Sequence, residues 1–158
     1  MPESTTRQLR RKDRQIDEQE ARRLLVRSEY GVLSTVGSDG LPYGVPISYV
    51  FHANEILFHC AIEGRKLENL AASPQASFCV VGETEVLPEQ FAVRYESAIA
   101  EGVVRELLGQ EKIVALALLV EKYAPGYREK GAEYITRDQQ KTRVFSLAVE
   151  QLCGKRRR

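Results

Sequence analysis

Leu41-Pro-Tyr-Gly-Val-Pro-Ile-Ser-Tyr-Val-Phe51, then His52-Ala-Asn54, Glu55-Ile-Leu-Phe-His-Cys-Ala61 and Gly64-Arg-Lys-Leu-Glu-Asn-Leu-Ala-Ala72, is the stretch that decides the fold. Two runs of alternating, β-rich character meet at Ala53-Asn54, which reads as a hairpin turn. The period then changes. Leu67 and Leu70 recur at helical spacing just after Gly64, and Ser73-Pro74 ends the helix. Working outward, Tyr30 to Val36 is a strand joined to Leu41–Phe51 by the turn Gly37-Ser-Asp-Gly40. Ala76 to Val81, Arg94 to Val104 and Thr142 to Leu152 supply three further strands, with Glu83 to Gln90 as a polar connection. Helices are expected over Ile16–Glu29, Gln110–Tyr123 and Lys130–Thr136. Six strands, mostly in sequential hairpins with helices between some, predict a mainly β (α+β) fold. The form expected from this pattern is a small antiparallel barrel with helices at its rim.

A chain of 158 residues suits one domain with a single core. The sequence divides into a flexible basic segment, 1–15, the domain, 16–154, and a basic tail, 155–158. Net charge is only +1, yet residues 7–27 carry eight basic and four acidic side chains and the tail adds four more positives. Between Arg27 and Arg94 the only cations are Arg65 and Lys66, set among eight carboxylates. Three cysteines without close spacing argue against a disulfide framework and for a reducing, cytoplasmic setting. The longest apolar run, Ile113 to Val120, is far short of the ~20 residues of a membrane span, so no membrane association is expected. The basic ends flank an acidic body, and nucleic acid is not expected as a partner.

The side chains offer little catalytic equipment. His59 and Cys60 are adjacent on a strand and so point to opposite faces, which prevents them from gripping one ion. There is no nucleophile elbow, dinucleotide fingerprint or phosphate loop. No catalytic residue is assigned, and any chemistry is expected to come from a cofactor. Arg65-Lys66 is the best anion site. Free backbone N–H groups at a helix start, beside two cations, make a phosphate cradle. The alternative is that both cations form surface ion pairs with Glu63 or Glu68. The stripe Ile113, Leu116, Leu119, Val120 reads as a core-facing or dimer-facing helix. Tyr123, Tyr127 and Tyr134 read as packing residues, with the wall of a substrate pocket as the alternative.

The run Asp39 to Val50, followed by Phe58-His-Cys-Ala-Ile-Glu-Gly-Arg-Lys-Leu-Glu-Asn-Leu70, Pro74 and Phe78-Cys-Val-Val81, resembles the FMN-binding split-barrel superfamily that includes pyridoxamine 5′-phosphate oxidase. Arg10-Arg-Lys-Asp-Arg14, Thr84-Glu-Val-Leu-Pro88, Tyr95-Glu-Ser97, Glu121-Lys-Tyr123 and Gly154-Lys155 are similar to the nitroimidazole-resistance (Nim-type) subgroup. The resemblance implies a six-stranded antiparallel split β-barrel, Greek-key-like, with peripheral helices, assembled as a homodimer with FMN at the subunit interface. Val45, Pro46, Ile47 and Ser48 would run along the flavin edge, and His59, Cys60, Arg65 and Lys66 would hold the ribityl phosphate. Tyr95, Glu96 and Ser97 would come from the partner subunit. Pro46, which cannot donate to a ladder, is expected to make its stretch of strand irregular. Nim-type proteins often carry His after the glycine; Arg65 stands there instead, a stronger phosphate ligand but a poor proton donor.

The function implied is an FMN-dependent oxidoreductase that reduces a small oxidised acceptor such as a nitroaromatic compound. The alternative is a non-catalytic flavin- or haem-binding or sensing protein on the same barrel.

Overall fold

A computed structural model describes residues 9–158. Part of the expected flexible segment, residues 1–8, lies outside the described residues. In chain order the elements are β1 (Gln15–Ile16), α1 (Glu18–Arg27), β2 (Tyr30–Val36), β3 (Pro42–Ser48), β4 (Val50–His52), β5 (Glu55–Cys60), α2 (Arg65–Ala72) and β6 (Gln75–Leu87). Then come β7 (Ala92–Leu107), α3 (Gly109–Tyr123), α4 (Arg128–Asp138) and β8 (Arg143–Arg157).

The strands form one eight-stranded sheet in the order β3-β2-β6-β7-β8-β5-β4, with β1 added beside β8. Two expectations are corrected here. The sheet has eight strands rather than six, because Leu41–Phe51 is interrupted at Tyr49 and because the two residues of β1 pair with Lys155 and Gly154. Nor is the barrel closed by hydrogen bonds. The ladder starts at β3 and ends at β4, which are not paired with each other although only Tyr49 separates them in the chain. The split is thus a break within one strand, with a half at each end of the ladder.

The break falls at Tyr49 and not at Pro46. β3 keeps an unshifted register with β2 from Tyr30↔Ser48 to Val36↔Pro42, Pro46 standing opposite Val32. In the ladder β3 pairs on one side only, so a residue without an N–H is tolerated there. Tyr49 instead turns fully inward, its ring edge-on to Phe78 at 4.6 Å and its hydroxyl donating to the Leu25 carbonyl at 2.5 Å. Burial raises its phenol pKa above the usual value.

Two strands run further than their sequences suggest. β6 continues through Leu87, with a register shift between Val81 and Thr84, so most of the expected polar connection is a strand paired with β7. β8 continues through Lys155, Arg156 and Arg157, opposite Ser97, Glu96 and Tyr95.

The core follows from the alternation of the strands. Leu33, Tyr49, Ile56, Phe58, Phe78, Val80 and Leu147 fill the interior, and α1 closes one end with Ala21, Leu24 and Leu25. Asp17 caps α1 by accepting the Glu20 amide at 2.8 Å. A second, smaller cluster forms where α3 lies on the outer face of β5: Leu57, Leu107, Ala115 and Val144. Leu57 and His59 share that face. The helix covers the leucine and leaves the histidine exposed.

Candidate functional site

β5 delivers His59 to the wall of a cavity of about 480 Å³, opposite α3 and α4. Ser48, Leu116, Leu119, Tyr123 and Tyr134 line it as well, and its exposed surface is mostly apolar. A few polar side chains, among them Ser48, His59 and Asp138, thus sit on a mostly hydrophobic wall, the usual make-up of a small-molecule site. Partial desolvation at the cavity wall, together with the charge of Lys66, holds the pKa of the still accessible His59 below the ordinary imidazole value of 6.5, so the neutral ring predominates at pH 7. Asp138 stands on the same wall and is kept ionised by Lys141 and Arg137, whose side chains donate to it at 2.7 Å each.

A shallower concavity of about 340 Å³ adjoins this cavity through Ser48 and Tyr123, and adds Pro46, Ile47 and Tyr30. Ser48 is exposed, Ile47 is buried, and Val45 packs against the core. The strand expected along a flavin edge therefore presents Pro46 and Ser48 outward and anchors itself through Val45 and Ile47.

Tyr123 and Lys122 fix this end of β3. The Tyr123 hydroxyl accepts the Tyr49 amide at 2.9 Å and lies 2.5 Å from the Glu29 carbonyl and 2.9 Å from that of Tyr49. Lys122 donates to the carbonyls of Ser28 and Tyr49, each at 2.8 Å, with its ammonium 3.9 Å from the Tyr49 ring centroid. Backbone groups left without a strand partner by the break are satisfied by two side chains of α3. Burial lowers the Lys122 pKa from 10.5 to about 8.

Arg65 and Lys66 open α2, which is tied to the sheet by buried Leu67 and Leu70 and by the Asn69 amide donating to Thr35 Oγ1 at 3.0 Å. Gly64 caps the helix at φ +139°, a backbone conformation that side chains other than glycine's avoid, with open space around it. Neither cation forms the ion pair with Glu63 or Glu68 that was the alternative reading. Arg65 stacks on the Tyr43 ring at 4.5 Å, which leans it against β3, and no carboxylate pairs with either cation among the described residues. Cys60 faces the core and not the cavity, and burial raises its thiol pKa. Among the described residues no group of three His, Cys, Asp or Glu side chains converges as a metal site.

The two adjoining concavities gather Pro46, Ile47, Ser48 and His59, while Arg65 and Lys66 lie outside their lining and Lys66 acts on His59 through its charge. Tyr95, Glu96 and Ser97 lie elsewhere within one chain. Glu96 is buried and accepts from Arg27 and, at 3.2 Å, from Arg156. A Cβ at Gly82 would meet its carboxylate oxygen at 2.5 Å, so the bare glycine in the register shift is what lets Glu96 pack there. The cavity residues of α3 and α4 escaped the reading of the sequence. Leu116 and Leu119 belong to a stripe indistinguishable from core, and only Tyr123 and Tyr134 carried a hint.

An open antiparallel sheet split at one strand, with a helix-capped cavity beside the split, defines the split-barrel class. A family model described as pyridoxamine 5′-phosphate oxidase matches residues 17–156, and the chain belongs to that family. Among solved structures it is similar to a flavocytochrome of Azotobacter vinelandii, at 17% identity and TM-score 0.82, covering 99% of this chain and 75% of that one. It is similar also to an FAD- and heme-binding protein of Mycobacterium smegmatis (21%, TM-score 0.79, 90% and 73% covered). A third is a Bacteroides thetaiotaomicron protein described as a candidate 5-nitroimidazole antibiotic resistance protein (21%, TM-score 0.74, 89% and 85% covered). At such identities these likenesses concern the fold. No curated protein matches the chain significantly. Among the described residues no helix is long and apolar enough to cross a membrane.

Proposed function

We propose that the protein is a flavin-dependent oxidoreductase that holds FMN beside Ser48 and His59 and reduces a small oxidised acceptor of the nitroaromatic kind. The observation that carries this reading is the pair Arg65-Lys66. Two adjacent cations stand at a helix start without a carboxylate partner among the described residues, and the charge of Lys66 reaches His59 on the wall of a largely apolar cavity. Cations at that end of a helix oppose its dipole, a cost that a bound phosphate would relieve. The cavity, about 480 Å³, falls in the range of small-molecule sites and offers apolar walls for a planar ring system. The residues present fit a flavin phosphate and ring.

A bound flavin supplies the electron chemistry that these side chains lack. The chain's share is binding and environment. Arg65 offers a planar fork to phosphate oxygens and Lys66 a compact charge. The Ser48 hydroxyl can donate or accept one hydrogen bond at the cavity mouth. Leu116, Leu119 and the tyrosine rings exclude water. His59, neutral at pH 7, is placed to accept a proton rather than to give one, a role Arg65 cannot take.

The assembly proposed is a homodimer. Pro46, Val32, Cys79, Ile99 and Cys153 stand directly opposite one another across five strands, and all are at least partly exposed. Tyr30 and Val81 extend the same apolar face, at 61% and 58% exposure. A sheet face of this composition suits burial against a second copy. In that assembly Tyr95, Glu96 and Ser97 would approach the partner's site.

One observation favours a second reading, haem binding without turnover. A neutral imidazole on an apolar wall, as at His59, is also a haem ligand. A visible spectrum separates the two, and anaerobic reduction of a nitroimidazole by the flavin-loaded protein separates an enzyme from a binder.

A further inference from the structure

The two basic ends of the chain, far apart in sequence, meet in the fold. Pairing of β1 with β8 sets Gln15 opposite Lys155 and Ile16 opposite Gly154. At this junction lies a concavity of about 460 Å³ whose wall carries Arg11, Arg14, Arg156, Arg157 and Arg158. The two carboxylates on the wall are already committed. Arg11 holds Asp13 at 2.6 Å, and Arg156 reaches Glu20 at 2.6 Å as well as Glu96 at 3.2 Å. Arg14, Arg157 and Arg158 have no carboxylate partner among the described residues, and Arg14 and Arg157 are half-buried. Like charges gathered in one partly desolvated concavity repel one another until an anion of matching charge joins them.

We propose that this concavity binds a compact polyphosphate-bearing small molecule, of the nucleoside diphosphate class, through Arg14, Arg157 and Arg158. Three guanidiniums match the two or three charges of a diphosphate, and each presents a fork to its oxygens. The surroundings favour a short ligand over a nucleic-acid strand. Beyond Arg156–Arg158 the next concavity carries Glu83 and Glu85, and α1 starts with Asp17 and Glu18. A long polyanion leaving the junction would run onto these carboxylates. The site shares no residue with the cavity of Ser48 and His59, and Arg65 and Lys66 are not on its wall.

Calorimetric titration of the full, flavin-saturated chain tests this, with ADP, AMP, adenosine and a single-stranded oligonucleotide as probes. ADP is expected to bind saturably, AMP about tenfold more weakly, and adenosine without measurable heat, since each lost charge-assisted contact is worth about a factor of ten or more. Arg14→Gln with Arg157→Gln weakens ADP about tenfold or more, and substitution of the exposed Arg158, Arg158→Gln, weakens it several-fold. Lys66→Ala leaves ADP binding unchanged. The proposal is overturned if ADP binds equally well to the arginine variants, if Lys66→Ala abolishes its binding, or if the oligonucleotide binds more tightly than ADP.

Discussion

Tyr123 and Tyr49, 74 residues apart, are joined where the sheet splits: the Tyr123 hydroxyl accepts the Tyr49 amide at 2.9 Å. A side chain from α3 stands in for the neighbouring strand that the break removes. Tyr123 lines both concavities, so the residue that closes the break also borders the candidate site.

Tyr123→Phe leaves the Tyr49 amide without this acceptor. An orphaned, part-buried donor costs about 1–3 kcal/mol. Denaturant unfolding should show that loss, with FMN affinity falling as well because Ser48 adjoins the break.

Lys122 gives the protein a pH signature. Its folded pKa, about 8, lies below the unfolded 10.5, so between those values the unfolded chain binds more protons. Stability therefore rises as pH climbs from about 8 towards 10.5, by about 1–3 kcal/mol once solvent screening is allowed for. From about pH 10 the raised Tyr49 pKa works the other way, the unfolded chain losing its phenol proton first. Urea midpoints across pH 7–10 should show the rise, and Lys122→Met should flatten it.

How much of this was legible in the sequence differs from feature to feature. Period-two alternation marks β2 and β5 almost to the residue, and the glycine before Arg65 marks the start of α2. Tyr123 gave no such signal, because its partners are backbone groups of Glu29 and Tyr49, which no side-chain pattern records. Glu83, Thr84 and Glu85 read as a loop since a two-stranded arm in solvent needs no apolar face. Lys155–Arg157 read as a tail because their strand partners, Tyr95 to Ser97 and Gln15, are distant and polar. The two residues of β1 are too few to carry a period.

His59 should titrate below 6.5, held down first by partial desolvation and then by the charge of Lys66. NMR titration should find its pKa higher in Lys66→Ala. A phosphate bound at Arg65 and Lys66 should raise it too, by offsetting the cationic charge. The unfolded chain binds more protons between the folded pKa and 6.5, so stability falls as pH drops through that window. His59→Gln should lessen the fall.

The exposed row on the sheet should behave as an interface. Ile99→Glu would place a charge at its centre, opposite Cys79 and Cys153. Sedimentation should find wild type dimeric and the variant shifted to monomer, with FMN affinity lost in parallel.

The account stands on the flavin, and its most direct test is an equilibrium titration of the purified protein with FMN, followed by visible absorbance and by quenching of flavin fluorescence. Wild type should be yellow or become so on loading. Lys66→Ala should bind at least about tenfold more weakly, the scale of one lost charge-assisted contact. A colourless protein that leaves FMN fluorescence unquenched, or a Lys66→Ala variant that binds as wild type does, would contradict the central claim.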